Sequence, residues 1–354
     1  MTGHRVVSVI GARPEIIQAT PLSSALEGRI EEVLVHTGQH YSASLSGDQI
    51  LDTRLRTPDR FLGIGEQRGA DPVVLGMQRL LGVVDEVGPQ AVLVRGDTHA
   101  TLSGALAAAA RRLPLIHVEA GLRSHRAEMP EERNRIIADH LSDLLLAPTP
   151  TTVDNLAAER VRGRVAETGD VLADMLELCR DRIPDPGVDG EFALATVHRN
   201  YNTDSRERLA AVLACLAACD LRVIFPLHPR TRVRLEAWDL RLPGNVEVVG
   251  PVPYTRMLAL ERAAQVILTD SGGVQREAYL WGVPCITLRE ETEWVETVST
   301  GWNALVGVDP ARAAAAMRAP RPAEHPVVFG DGHAASHIAE LVAGLVSEHT
   351  VPRR

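Results

Sequence analysis

The sequence predicts an α/β protein with two doubly wound domains, whose parallel sheets face each other across a cleft. Short apolar, β-branched runs recur along the chain, and each is followed by a helical pattern. This alternation is typical of parallel sheets with helices on both faces. The Pro/Gly/Asp-rich stretch 181–192 interrupts the series. A chain of 354 residues has room for two such cores.

The order of the apolar runs gives the predicted domain limits. The runs span 6–11, 32–37, 91–96, 113–118 and 144–149 before the interruption, and 192–197, 221–227, 246–250, 264–269 and 283–288 after it. We predict a first domain over 1–170 and a second over 171–333. A closing helical pattern over about 334–354 predicts a terminal helix, and its packing on the first domain is a hypothesis.

Composition excludes several classes of protein. A net charge of −9 argues against nonspecific nucleic-acid binding. The chain has no lysine, which excludes a pyridoxal-phosphate enzyme, a lysine general base and a P-loop. The four scattered cysteines indicate core positions. The N-terminus has the pattern of a strand rather than a signal peptide, and no apolar run could span a bilayer. We therefore expect a cytoplasmic protein with no membrane partner.

Ionisable side chains stand where the predicted strands end. Ligands of doubly wound sheets bind beyond the carboxyl ends of the strands, so these residues are candidates for a functional site. In the first half they are Arg13, Asp97 and Glu119, and in the second half they are His198, Arg199, His228, Arg230 and Asp270 with the three residues after it.

The segment Asp270-Ser271-Gly272-Gly273 lies between a strand and a helical pattern and predicts an oxyanion cradle. Glycine N–H groups and a Ser hydroxyl can hold phosphate without lysine. A Ser N-cap followed by a Gly turn is an alternative explanation of the same residues. Glu277, in the following helix, is either a ligand for ribose hydroxyls or part of a solvated face. Neither half has a G-x-G-x-x-G fingerprint or metal-ligand spacing, so we predict no metal and no cofactor.

Three carboxylates are expected at the same cleft: Asp97, Glu119 and Glu131. With guanidiniums nearby, they suit proton transfer around an anionic leaving group. Asp97 has an alternative role as a helix N-cap. Glu131, after Pro130, has one as an acid favoured in a first helical turn. Glu119 has no such alternative, because a carboxylate that ends an apolar strand is costly unless it is paired.

Motifs in a fixed order cover almost the whole chain: GARPEIIQATPL, VHTGQHYS, RGDTHATL, HVEAGLRS, MPEERNR, TGDVLADML, TVHRN, PLHPRTR, ILTDSGGVQREA, LREETEWVE and GWNALVG. Together they resemble the non-hydrolysing UDP-N-acetylglucosamine 2-epimerases, including the subgroup that acts on UDP-2,3-diacetamido-2,3-dideoxy-glucuronate. The resemblance implies a GT-B-like fold of two Rossmann-like domains and an isomerase. It also implies a UDP-sugar substrate, no cofactor and a homodimer.

The resemblance also implies a mechanism. The C2 hydrogen of the sugar becomes acidic only as the C1–O bond to UDP breaks, so elimination of UDP gives a 2-acetamidoglucal. Readdition of UDP, with protonation on the opposite face of C2, converts UDP-GlcNAc to UDP-ManNAc. Carried over by motif, Asp97, Glu119 and Glu131 are the acid/base and cation-stabilising carboxylates. Which of them is the base and which the acid stays open.

By the same resemblance, the nucleotide contacts fall on both halves of the chain. The diphosphate is assigned to Arg13, His198, Ser271, Gly272 and Gly273, the ribose to Glu277, and the uracil to the segment around Tyr254. His198 is also counted with the catalytic residues. Four further residues are placed at the substrate site: Arg135, Arg199, His228 and Arg289.

The chain departs from the family pattern at a few positions. Gln18 stands where members usually have Lys, and Tyr201 where related sequences often have Glu. The TGQH segment continues with YSAS instead of the glutamine of members that bind a second, activating substrate molecule. We therefore predict weak or absent substrate activation; sigmoidal kinetics abolished by Gln39→Ala would contradict this.

Other functions remain open from the sequence. The nearest is the diacetamido-uronate epimerase, followed by a hydrolysing 2-epimerase that releases free sugar and by a GT-B glycosyltransferase. A catalytically silent nucleotide-sugar-binding protein is a further alternative, and the intact set of Asp97, Glu119, Glu131 and His198 argues against it. Abundant arginine leaves the sugar unassigned, because a C6 carboxylate would need only one more guanidinium.

Overall fold

The computed structural model describes residues 4–38, 52–66, 71–227 and 229–349. Backbone contacts divide the chain into two compact units, residues 1–178 with 327–354, and residues 179–326. Each unit has an all-parallel sheet with helices packed against it. The predicted fold class, two doubly wound α/β halves, is confirmed. Within the described part of the chain, no helix is both long and apolar enough to cross a membrane.

The first unit contains a seven-stranded parallel sheet in the order β3-β2-β1-β4-β5-β6-β7. Its strands are β1 (Arg5–Ile10), β2 (Glu31–His36), β3 (Arg60–Phe61), β4 (Ala91–Arg95), β5 (Leu115–Val118), β6 (Leu144–Ala147) and β7 (Arg164–Glu167). Its described helices before residue 180 include α1 (Arg13–Leu26), α2 (Pro72–Val87), α3 (His99–Arg111), α4 (Pro130–Leu141), α5 (Pro150–Ala158) and α6 (Val171–Cys179, whose last residue falls in the second unit).

The two faces of this sheet form separate cores, because side chains alternate along each strand. On β4, Leu93 packs on one face with Leu22 of α1. Val92 and Val94 pack on the opposite face with residues of α2 and α3. Strands buried on both faces explain the continuous apolar runs from which the sheet was predicted.

The C-terminal helix α14 (Ala334–His349) belongs to the first unit, which the chain re-enters at residue 327. Ile338 and Val342 are fully buried in the same core as Leu22. The Asp174 carboxylate accepts the backbone N–H groups of Ala334 and Ala335 at 3.1 and 2.8 Å, so it caps the helix. Contacts also join α6 to this unit, although the sequence placed 171–333 in a second domain. The limits of the domains themselves stay a prediction.

The second unit contains a six-stranded parallel sheet in the order β10-β9-β8-β11-β12-β13. Its strands are β8 (Phe192–Thr196), β9 (Arg222–Pro226), β10 (Val246–Val249), β11 (Val266–Thr269), β12 (Cys285–Thr287) and β13 (Asn303–Leu305). Its described helices are α7 (Asn200–Thr203), α8 (Arg206–Ala217), α9 (Pro229–Ala237), α10 (Tyr254–Ala263), α11 (Gly272–Trp281), α12 (Val295–Ser299) and α13 (Pro310–Met317).

Sheet order decides which loops lie together. In the first sheet β1 lies between β2 and β4, and in the second β8 lies between β9 and β11. At such a switch point the loops of neighbouring strands leave toward opposite faces, and a crevice opens between them. The loops after β1 and β4 carry Arg13 and Asp97, and those after β8 and β11 carry His198 and Asp270. Each unit therefore has candidate residues at its own switch point.

Candidate active site

The turn after β4 presents Asp97 to helix α4. Gly96 adopts a left-handed backbone with φ of +63°, which glycine accommodates without strain. The Asp97 carboxylate forms a salt bridge with Arg135, and the Asn134 side chain donates to the Asp97 carbonyl at 2.8 Å. Thr98, not Asp97, caps α3, since its hydroxyl accepts the Ala100 N–H at 3.0 Å. The alternative role of Asp97 as an N-cap is therefore wrong.

Glu119 lies in the neighbouring turn, directly after β5. Its φ of +68° is left-handed, a conformation that costs energy for a residue other than glycine and that clusters at functional sites. The side chain is half-buried. A Cβ added to Gly96 would lie 3.4 Å from the Glu119 carboxylate, so this carboxylate lies against the turn that carries Asp97.

Two consecutive acids at the start of α4 have different environments. Glu132 is buried, and its carboxylate accepts the N–H groups of Ser124 and His125, both at 2.9 Å, and pairs with Arg135 at 3.1 Å. It therefore holds the loop that leads from Glu119 to α4. Glu131 is half-buried in the first turn of the helix.

Glu15 links the turn after β1 to the turn after β4. Its buried carboxylate accepts the Ala12 N–H at 2.8 Å and the Thr98 and Thr101 hydroxyls at 2.6 and 3.1 Å. Burial raises the pKa of Glu15, and it outweighs the hydrogen bonds, which lower this pKa. The network fixes the first residues of α1, where Arg13 begins the helix, relative to the loop that carries Asp97.

In the second unit, the fully buried Asp270 shapes the turn after β8. Its carboxylate accepts the backbone N–H groups of His198 and Arg199 at 3.1 and 3.0 Å, and the Asn202 side-chain amide at 3.0 Å. The His198 imidazole lies 3.6 Å from the same carboxylate and is 46% exposed. Two predicted ligand residues are thus presented by one buried acid.

The segment after Asp270 forms the N-terminus of α11. The Ser271 hydroxyl accepts the Val274 N–H at 3.4 Å, and Gly272 and Gly273 form the first turn. A Cβ on Gly272 would lie 3.1 Å from the Trp294 indole nitrogen, so a larger residue here would require the indole to shift by a few tenths of an ångström. Ser271 is therefore a helix N-cap, as the alternative explanation of this segment expected. A helix N-terminus of this kind also suits an oxyanion.

Three of the remaining predicted residues, Tyr254, Glu277 and Arg289, are buried in pairs. The Tyr254 hydroxyl donates to the Glu277 carboxylate at 2.7 Å, and burial, with Glu277 beside it, raises the pKa of Tyr254. Glu277 is therefore not part of a solvated face, since it is 5% exposed. Burial alone would lower the pKa of Arg289, but Glu293, at 3.0 and 2.9 Å, outweighs it and the pKa is raised.

Some predicted features fall elsewhere. His228 and Gln39 lie outside the described residues. Within the described ranges, no group of three or more His, Cys, Asp or Glu side chains is arranged to hold a metal ion. The four cysteines are free and buried, as the sequence predicts.

Comparison with known proteins identifies the family of this chain. A model of the UDP-N-acetylglucosamine 2-epimerase family matches residues 24–343. A UDP-2,3-diacetamido-2,3-dideoxy-D-glucuronate 2-epimerase of Pseudomonas aeruginosa is 39% identical over 96% of this chain and 100% of its own. A UDP-N-acetylglucosamine 2-epimerase homolog of Methanococcus maripaludis is 37% identical with the same coverage. The chain belongs to the UDP-N-acetylglucosamine 2-epimerase family.

A solved structure of this epimerase family supports the assignment. The Methanocaldococcus jannaschii UDP-GlcNAc 2-epimerase, in complex with UDP-GlcNAc and UDP, has a TM-score of 0.87 and 34% identity. The alignment covers 96% of this chain and 99% of that one. The resemblance drawn from the motifs is confirmed, and the chain is an isomerase of the UDP-GlcNAc 2-epimerase type.

The epimerase site also contains residues that the sequence argument missed. Glu15, Glu132 and the supporting role of Asp270 went unrecognised, as did the buried pair of His117 and Asp139, which hydrogen-bonds to Gly96 and Gly121. The signals were present, since each is an ionisable residue within a motif already quoted or one helical turn beyond it. Several of their partners are distant in sequence, such as Thr98 for Glu15 and His198 for Asp270, and only the fold shows which residues they support.

Proposed function

We propose that this epimerase interconverts UDP-GlcNAc and UDP-ManNAc without hydrolysis, by elimination of UDP to 2-acetamidoglucal and readdition. One observation carries the proposal. The turns of Asp97 and Glu119 lie against each other, and Arg135, which pairs with Asp97, joins them to the helix that begins beside Glu131. Carboxylates in partly buried surroundings suit both proton transfer at C2 and stabilisation of positive charge on the ring.

The reaction gives the three carboxylates of the first unit their tasks. As the C1–O bond breaks, positive charge builds on the sugar ring, and a carboxylate removes the C2 proton. A proton delivered to the other face of C2, as UDP adds again to C1, completes the inversion. Asp97, Glu119 and Glu131 share the proton transfers and the stabilisation of the ring charge. No electrons leave or enter the substrate in the overall reaction.

The chain has no lysine, so other groups must supply the hydrogen-bond donors for the UDP leaving group. We assign them to the N-terminus of α11, with the Ser271 hydroxyl and the Gly272 and Gly273 N–H groups, together with His198 and Arg199. Arg13 is assigned to the same diphosphate. The pair of Tyr254 and Glu277 is assigned to the nucleoside, Glu277 taking the ribose hydroxyls.

A second candidate substrate is UDP-2,3-diacetamido-2,3-dideoxy-glucuronate. The relative of P. aeruginosa named for this substrate is 39% identical over nearly the whole chain, which favours it. The relative of M. jannaschii, whose structure was solved with UDP-GlcNAc and UDP, favours the first. The homodimer implied by the resemblance and the cytoplasmic location expected from the sequence stay predictions that light scattering and fractionation would check.

Incubation with UDP-GlcNAc in deuterium oxide, followed by NMR, tests the proposal. We expect a mixture of gluco and manno UDP-sugars with deuterium at C2. Release of free ManNAc would instead indicate a hydrolysing epimerase. Turnover of the diacetamido-uronate alone would move the assignment to that substrate, and turnover of neither would refute the proposed function.

A further inference from the structure

The imidazole of His117 is buried in the first unit between two hydrogen-bond acceptors. The residue, on β5, has no exposed surface. Its Nε2 lies 2.8 Å from the Gly96 carbonyl oxygen, and its Nδ1 lies 2.7 Å from the Asp139 carboxylate on α4. A carbonyl oxygen only accepts hydrogen bonds, so Nε2 must carry a proton.

The surroundings of Asp139 decide the second proton. Its other carboxylate oxygen accepts the Gly121 N–H at 3.2 Å and pairs with the Arg123 guanidinium at 2.8 Å. A carboxylate with such donors is ionised and only accepts, so Nδ1 of His117 must also carry a proton. Burial alone would raise the pKa of Asp139, but His117 and Arg123 outweigh it and the pKa is lowered.

The charged groups around His117 come from several elements of the first unit. Asp139 faces it from α4, and Glu119 from the end of its own strand. Arg123 pairs with Asp139 and, at 2.6 Å, with Glu159 at the end of α5. Burial alone would lower the pKa of His117, but Asp139, the Gly96 carbonyl and Glu119 together outweigh it and the pKa is raised. A cation is therefore the stable form of this imidazole.

The contacts of His117 reach every segment that carries a proposed catalytic carboxylate. Gly96 directly precedes Asp97, and Gly121, held through Asp139, lies two residues after Glu119. Asp139 lies on the helix α4 whose first turn contains Glu131. A displacement of about 1 Å in a catalytic group costs about 10²-fold in rate, so a fixed point shared by these segments bears directly on turnover.

We propose that His117 is a permanent buried imidazolium that positions the turns of Asp97 and Glu119 for proton transfer at C2. This role rests on the proposed epimerisation. His117 does not itself contact the sugar. Its two N–H groups fix the loop after β4 to α4, and its charge offsets that of Asp139 and faces the Glu119 carboxylate.

The substitutions His117→Gln and His117→Asn separate the two hydrogen bonds. The Gln amide can replace Nε2 toward Gly96, and the Asn amide can replace Nδ1 toward Asp139, while both remove the charge. We expect each to lower kcat about 10²-fold and to leave KM for the UDP-sugar unchanged. His140→Gln is the matched control, since His140 lies 3.3 Å from Glu159 in the same charge cluster but is 46% exposed; it should keep wild-type kcat.

The charge is measured without reference to activity. NMR of the full-length protein with ¹⁵N-labelled histidine, assigned by comparison with either His117 variant, should show both nitrogens of His117 still protonated at pH values above the ordinary histidine pKa of about 6.5. A neutral, singly protonated ring at neutral pH would overturn the proposal, as would wild-type kcat in folded His117→Gln. If His117→Gln fails to fold, His117→Asn gives the same test.

The two proposals fail in distinguishable ways. Wild-type protein that turns over neither UDP-sugar refutes the epimerisation, and the positioning role with it, even where the ring is cationic. Wild-type protein that epimerises while His117 is neutral refutes only the imidazolium. A cationic His117 together with reduced kcat and unchanged KM in the variants supports the full proposal.

Discussion

Asp270→Asn tests how the second unit presents His198 and Arg199. The amide oxygen can keep the bonds that the second carboxylate oxygen accepts from Arg199 and Asn202, both at 3.0 Å. The amide nitrogen then faces the His198 N–H, which loses its 3.1 Å acceptor and keeps only the 3.3 Å contact with the other oxygen. A hydrogen bond to a charged group is worth about 1.5–3 kcal/mol. We expect stability to fall by about 2 kcal/mol.

Tryptophan fluorescence during urea unfolding measures this loss in the correct unit. All four tryptophans lie within residues 179–326, which form the second unit: Trp238, Trp281, Trp294 and Trp302. UDP titration of the folded variant should show weaker binding, because the turn of His198 is no longer fixed.

Asp309→Asn is the matched control for this prediction. Asp309 also accepts two backbone N–H groups, at 2.8 and 3.1 Å, but as an exposed N-cap. Asn caps helices as well as Asp does, so we expect almost no change in stability. An Asp270→Asn protein as stable as the wild type, with unchanged UDP affinity, would refute the argument.

Three further predictions concern single side chains: Glu119, Tyr254 and His36. Glu119→Gln should lower turnover about 10²- to 10⁴-fold with an unchanged circular dichroism spectrum, whereas the exposed Glu128→Gln should keep wild-type turnover. Tyr254→Phe removes the 2.7 Å bond to Glu277 and should weaken UDP binding about fivefold in calorimetry, for a loss of about 1 kcal/mol. Burial lowers the pKa of His36 to about 4. As the pH falls from about 6.5 to about 4, the unfolded state binds a proton that the folded state does not, so the free energy of unfolding falls by about 3 kcal/mol. Thermal unfolding of His36→Asn over this pH range should lack this contribution.

The sequence predicts most of the fold because buried parallel strands leave an unmistakable pattern. Five apolar runs in each half correspond to strands of the two sheets. It does not predict the edge strands β3, β7 and β13, because these are short and β3 and β7 are exposed or half-exposed. An edge strand has little apolar surface to bury, so its sequence carries little signal.

The sequence likewise predicts only some features of the candidate site. That the turns of Asp97 and Glu119 lie together follows from strand ends alone, since consecutive parallel strands end at one edge of a sheet. The pairing of His117 with Asp139 does not, because their separation in sequence carries no periodic signal. Thr98 as the cap of α3 could have been chosen over Asp97 only from backbone geometry.

Positional isotope exchange tests the elimination of UDP most directly. UDP-GlcNAc is prepared with ¹⁸O in the oxygen that joins C1 to the β-phosphorus, and ³¹P NMR follows the label during epimerisation. If the C1–O bond breaks and UDP adds again, the label should appear in non-bridging positions of the β-phosphate, with unlabelled oxygen in the bridge. UDP-ManNAc that forms with all of its label still in the bridge would contradict the account.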